Sequence, residues 1–275
     1  MPGHQYLVWA LLVAAQTAPC EDVDVGGIVQ RSMALLREAW DAVPGYAFVQ
    51  RDESLSGGRL VSRTHLVVMI DGSDYYMPIA NNDEALSETE RARELGKLVA
   101  EKARREAQNA GEREKRTSGY LQQRRQNGMF ITELPAAFHF TLAREATLAD
   151  GHGVWVLAAA PNARKGPLSR EAKILARMNG YLWVEKETCR IVRAEASVTA
   201  PVSIFGIFAR VLPGTQIAFE TEPGDLPMLS RLSLTLSISR LGFHSTQQTI
   251  STYRDYRLNE QVIRDLLAEN AREQK

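Results

Sequence analysis

Arg231-Leu232-Ser233-Leu234-Thr235-Leu236-Ser237-Ile238-Ser239 alternates apolar and polar residues at every step. A period of two sends successive side chains to opposite faces of a strand, so Leu232, Leu234, Leu236 and Ile238 share one face and water-compatible groups take the other. Working outward, a less strict version of the pattern recurs between turn signals. Upstream it covers Tyr46 to Ser54, Leu60 to Ile70 after Gly57-Gly58, and Asp74 to Ile79 after Asp71-Gly72. It returns in Phe138 to Thr147, Val154 to Ala160 after Gly151-His152-Gly153, Tyr181 to Glu187, Ile191 to Thr199, Thr215 to Thr221 and His244 to Arg257. About ten strands, most of them neighbours in sequence, predict a large antiparallel sheet with one apolar face.

Helical signals flank and interrupt the strands. Ile28, Met33, Leu36 and Trp40 recur at helical spacing, and Pro44-Gly45 ends a helix predicted from Asp24 to Val43. Ser87-Glu88-Thr89-Glu90 is a capping box that opens a charged stretch. Residues 88–126 carry eleven basic and seven acidic side chains around a thin apolar stripe of Leu95, Leu98 and Val99. This predicts a solvated, salt-bridge-laced helical insertion over residues 87–127, broken near Gly111; the functional alternative is a basic helix that touches phosphate groups. Short helices are predicted over Met129 to Ala137 and Ser169 to Met178, and a polar C-terminal helix over residues 259–275. Between Ala200 and Gly214, Ile204, Phe205, Ile207 and Phe208 lie almost side by side. They read either as a short helix plugging the core or as a movable lid over an apolar pocket.

Composition narrows the function. Lys+Arg and Asp+Glu each total 33, so no bulk charge draws the chain to nucleic acid. Tyr6 to Ala15 is an apolar run of signal-peptide length, too short to span a bilayer, which makes residues 1–18 an export signal. Pro19 stands where a lipobox needs a small residue, so lipid anchoring at Cys20 is not expected. The five histidines form no metal-ligand spacing, and no nucleophile elbow or phosphate loop occurs. His139 and His152 are the residues on which an enzyme reading would rest. Asp52 and Glu53, being adjacent on a strand, face opposite ways and cannot act as a carboxylate pair. No metal, cofactor or catalytic residue is predicted.

Ala160-Pro161-Asn162 with Lys165 after a strand, then Lys173-Ile174-Leu175-Ala176-Arg177-Met178-Asn179-Gly180, then Leu182-Trp183-Val184, is a pattern that resembles bacterial outer-membrane lipoprotein-sorting-like proteins. These are related to the periplasmic carrier LolA, the receptor LolB and the regulator RseB. The order of helix, meander, charged insertion and second meander fits as well, over roughly residues 28–258. The resemblance implies an α+β fold in which a strongly curved antiparallel sheet forms an unclosed half-barrel with covering helices, as one domain over residues 24–258. It also implies a non-enzymatic, monomeric periplasmic protein that binds a lipid or a lipoprotein acyl chain. The alternative is an envelope regulatory module with a fully packed sheet and a membrane-protein partner. Phe138, Phe140, Trp183, Leu232, Leu234, Leu236 and Ile238 are the candidate ligand-binding residues of the apolar concave face. Ile204, Phe205, Ile207 and Phe208 are the candidate lid.

Overall fold

A computed structural model describes residues 24–56, 59–162, 174–203 and 209–273. Helix α1 (Val25–Ala42) and a 3-10 turn (Val43–Gly45) lead into β1 (Tyr46–Ser56), β2 (Arg59–Ile70), β3 (Ser73–Asn81) and β4 (Glu84–Ala85). Helices α2 (Glu88–Glu106) and α3 (Ala110–Ala137) carry the chain to β5 (Phe138–Thr147), β6 (Gly153–Pro161), β7 (Met178–Glu185) and β8 (Ile191–Val198). The short β9 (Val202–Ser203) and β10 (Ala209–Val211) follow, then β11 (Gln216–Thr221), β12 (Leu229–Arg240), β13 (Phe243–Leu258) and α4 (Asn259–Glu273).

The strands form one antiparallel sheet in the order β4-β3-β2-β1-β13-β12-β11-β8-β7-β6-β5, with the β9–β10 pair attached to β12. The two outermost strands do not meet. The sheet is therefore unclosed, an α+β open half-barrel as the sequence led us to expect.

Strand register defines the two faces, because directly opposed residues of antiparallel strands point the same way. One aligned row runs Leu142, Leu157, Leu182, Ala194, Phe219, Leu232, Ser251, Asp52 and Arg63, from β5 through to β2. We call this face inner, since α1 lies on it and packs Ile28, Val29 and Met33 against Trp155, Leu157, Leu182 and Val184. On the outer face, α2 and α4 bring Leu95, Leu98, Val262 and Leu266 against Val49, Leu66, Val68 and Met77. A third cluster, including Phe138, Leu175, Met178 and Val211, closes one end of the inner face. Each fully buried aliphatic or aromatic side chain contributes roughly 1.5–3 kcal/mol. The sheet is thus held from opposite sides in its two halves.

The charged insertion differs from the solvated excursion its composition suggests. α2 opens on the expected capping box at Ser87 and Glu90, yet Leu95 and Leu98 are fully buried. Arg105, 6% exposed, fastens its last turn. Its Nη1 donates to Ile70 O at 2.8 Å, Ser73 O at 2.9 Å and Ser73 Oγ at 2.9 Å, while its Nη2 reaches Asp74 O at 3.1 Å and its Nε reaches Glu101 at 2.6 Å. The thin apolar stripe suffices because this one guanidinium satisfies a turn that would otherwise bury bare carbonyls.

The helix breaks at Ala107–Asn109, and α3 starts on a second capping box, Asn109 with Glu112. α3 then runs unbroken to Ala137, absorbing the separate helix read from Met129. Gly128 is the point of closest approach to α1: a Cβ built there would stand 2.8 Å from Trp40 Nε1. Across the sheet, a Cβ at Gly180 would stand 2.2 Å from Glu195 O. Gly180→Ala is therefore expected to cost about 1–3 kcal/mol, as other overpacked sites do; an unchanged urea midpoint would show that β7 and β8 can separate freely.

The short helix expected between Ala200 and Gly214 rests on residues 204–208, which lie outside the described residues. Both ends that are described are strands, Val202–Ser203 and Ala209–Val211. Pro201 and Pro213 flank a small antiparallel pair that extends β12, a pairing with no period long enough to show in the sequence.

Candidate functional site on the inner face of the half-barrel

The inner face changes character strand by strand. From β5 to β11 its central residues are apolar and packed against α1, with Phe219 the last to join that helix's cluster. Beyond it, Leu232 is half-buried and Leu234 is 37% exposed. Leu232 lies opposite Phe219, and Leu234 lies opposite Ile217. An alternating strand has thus placed four large apolar residues on the inner face, and only its far end is covered.

The sequence-predicted ligand residues divide accordingly. Phe138 is 4% exposed within the end cluster, and Phe140 and Leu236 pack against that cluster. Ile238 lies opposite the buried Val211. Leu232 and Leu234 stand on the uncovered strip. Trp183 does not join them. It aligns with Val156 and Arg193 on the outer face, where the Arg193 guanidinium lies 5.1 Å from its ring and Tyr181 6.0 Å away. The candidate lid residues Ile204, Phe205, Ile207 and Phe208 lie outside the described residues.

Next to the apolar strip the inner face turns polar and aromatic. Ser251 and Asp52 follow Leu232 in the same row. Ser251 Oγ donates to Asp52 Oδ1 at 2.5 Å, and Gln50 Nε2 donates to both carboxylate oxygens at 3.0 and 2.9 Å. Around them, Phe48 lies 6.0 Å from Tyr253 and 5.3 Å from Tyr256. His65 meets the edge of Tyr76 at 6.0 Å, and Tyr76 is 46% exposed. Burial pushes the phenols of Tyr76, Tyr253 and Tyr256 above their ordinary range. It also pushes the His65 imidazole down, against the pull of Asp52.

Glu53, as its position beside Asp52 requires, faces the other way and pairs with Arg51. Sequence reading missed Asp52, Ser251 and Gln50 as a unit. Only the pairing of β1 with β13 brings them together, across 199 positions in the chain.

A second concavity, of about 760 Å³, lies at the α2–α3 elbow beside the β2–β3 turn. Arg104, Lys115, Arg116, Asp74, Glu112 and Tyr120 are among its lining residues. Its arginines are already engaged. Arg104 pairs with Glu101 at 2.7 Å, and Arg116 donates to Gln108, Asp71 O and Ser73 Oγ at 2.9, 2.9 and 2.8 Å. The basic cluster that stood out in the sequence anchors the insertion to the sheet.

His139 is exposed on β5. His152 Nδ1 lies 2.5 Å from Glu185 Oε1 on the outer face, a side chain that Thr188 and Arg190 also contact. Among the described residues, no group of three or more His, Cys, Asp or Glu side chains is placed to hold a metal ion.

No protein-family model matches the chain, and no curated protein matches it. Solved structures do. An outer membrane lipoprotein-sorting protein domain from Vibrio parahaemolyticus shares 10% identity over 83% of this chain and 92% of its own, with a TM-score of 0.30. The MucA/MucB complex of Pseudomonas aeruginosa matches at 10% identity over 84% and 94%, with a TM-score of 0.24. A structure of MucB with MucA(peri) gives 11%, 84%, 94% and 0.23.

Proposed function

We propose that this chain is a non-enzymatic periplasmic protein that binds a lipid or a lipoprotein acyl chain on the inner face of the half-barrel. The observation that carries the reading is the uncovered strip of β12, where Leu232 and Leu234 continue a helix-roofed apolar row into the open. An alkyl chain laid there would shield apolar surface from water, at roughly 0.8 kcal/mol for each buried methylene. The apolar run Tyr6 to Ala15 supports export, and no described helix is long and apolar enough to cross a membrane.

Leu234→Asp sets a charge on the strip and is expected to abolish uptake of a fluorescent fatty acid while leaving the sheet folded. Retained uptake by a variant with a normal circular dichroism spectrum and urea midpoint removes this site. Organic extraction of protein purified from a bacterial envelope, followed by mass spectrometry, supplies the complementary result: a stoichiometric lipid supports the reading.

A second reading, an envelope interaction module, is favoured by the hairpin tips. Leu55 and Leu60 are 65% and 64% exposed on the β1–β2 hairpin, and Leu241 and Phe243 are 71% and 81% exposed on the β12–β13 hairpin. Apolar side chains gathered at one end of a sheet suit contact with a partner. A lipid-free extract together with no fatty-acid uptake would favour this module.

A further inference from the structure

We infer that the ligand of the inner face is a zwitterionic amphiphile, its ammonium held at Asp52, its anionic group at Arg63 and its alkyl chain on Leu232 and Leu234. The inference rests on the apolar-ligand reading and adds the head group to it. Leu232, Ser251, Asp52 and Arg63 are consecutive members of one row on four adjacent strands. With strands about 4.8 Å apart, the carboxylate stands roughly 10 Å from the apolar strip and the guanidinium one strand further on. A tail, a positive group and a negative group in that order match the row from one end to the other.

Three features of Asp52 favour a cation. The carboxylate is half-buried and held by Ser251 and Gln50, both neutral donors. Among the described residues no basic side chain forms an ion pair with it, although Arg63 is its direct neighbour across the strands. Tyr253, Phe48 and the half-exposed Tyr76 supply ring faces on the same side of the sheet, and aromatic faces beside a carboxylate are what an ammonium group binds best. Arg63 is exposed and likewise forms no ion pair among the described residues, so its fork remains available to a phosphate or sulfonate. The competing account is that Asp52 and Arg63 offset each other through water, which would give neither any part in binding.

Calorimetric titration of the whole protein with three surfactants of one tail length tests this, each held below its micelle concentration. A dodecyl sulfobetaine (dodecyldimethylammonio-propanesulfonate), which carries its ammonium next to the tail and its sulfonate beyond, is expected to bind roughly tenfold more tightly than dodecyltrimethylammonium or dodecyl sulfate, the scale of one charge-assisted contact. Asp52→Asn should abolish the preference over dodecyl sulfate, and Arg63→Gln the preference over dodecyltrimethylammonium. If wild-type protein binds all three equally, the head-group inference fails and the apolar-ligand reading stands. If it binds none, that reading fails and takes the inference with it. The wild-type comparison needs no variant, so a misfolded Asp52→Asn would not rescue the inference. Should the dodecyl sulfobetaine and its tail-less analogue trimethylammonio-propanesulfonate bind equally well, the head group is recognised without its tail, and the amphiphile assignment falls.

Discussion

Arg105→Met is expected to lower the free energy of unfolding by about 3–5 kcal/mol, the usual loss when one member of a buried charged network is removed. Methionine fills most of the aliphatic volume but leaves the carbonyls of Ile70, Ser73 and Asp74 without their donor. Each carbonyl stranded away from water costs about 1–3 kcal/mol. Arg105→Lys should recover little, because an ammonium cannot reproduce a planar fork that serves two strands of a turn and a carboxylate together. Urea unfolding measures the loss, and hydrogen exchange in α2 shows whether the helix lifts off before the sheet melts. A change within about 0.5 kcal/mol, typical of an ordinary surface position, would show that Leu95 and Leu98 hold α2 without it.

Glu185→Gln is the second large effect, again about 3–5 kcal/mol, and it has a pH signature. The Glu185 side chain is 3% exposed and that of Arg190 11%. Burial alone would raise the Glu185 carboxyl, but hydrogen bonds from Thr188 and His152, with the charge of Arg190, hold it below its ordinary range. The hydrogen bond to Glu185, helped by Asp150, raises the His152 imidazole.

The two signs run in opposite directions. The lowered carboxyl contributes stability that is complete above its ordinary value of 4.5 and lost as pH falls through the folded value. The raised imidazole contributes stability that is complete below its ordinary value of 6.5 and lost as pH rises through the folded value. The gap between wild type and Glu185→Gln should therefore be widest between pH 4.5 and 6.5. Chemical denaturation of both proteins across that range measures it. A gap independent of pH would mean that the carboxylate holds Arg190 alone.

Local chemistry made much of this fold legible in advance. The alternation of β12, the glycine turns of the hairpins and the Ser87 capping box each encode their geometry within a few residues. Trp183 shows where such reading stops. Tyr181 to Val184 is apolar on both faces of its strand, so the pattern does not say which way the indole points; pairing with Val156 and Arg193 decides it. α3 shows a second limit. The sequence predicts a separate helix starting at Met129, just after Gly128, and only the fit of Gly128 beneath Trp40 gives that glycine a packing role in an unbroken helix. The Leu232–Ser251–Asp52–Arg63 row needs four strands in register, a non-local fact that no window of sequence contains.

The pairing of β1 with β13 also has a temporal side. The strand that begins the sheet is flanked by the strand that ends it, at Tyr46 opposite Leu258 and Ser54 opposite Thr249. During synthesis β1 to β3 and β5 to β8 emerge as two separate hairpin stacks, each with an unsatisfied edge, and the meander β11 to β13 is the ribbon that joins them. The β1–β13 contacts close the longest loops of the sheet, whose entropy must be overcome before their pairing stabilises anything. Until that ribbon arrives, both nascent edges are open to strands of other chains. A bound chaperone is most useful to this protein in that interval.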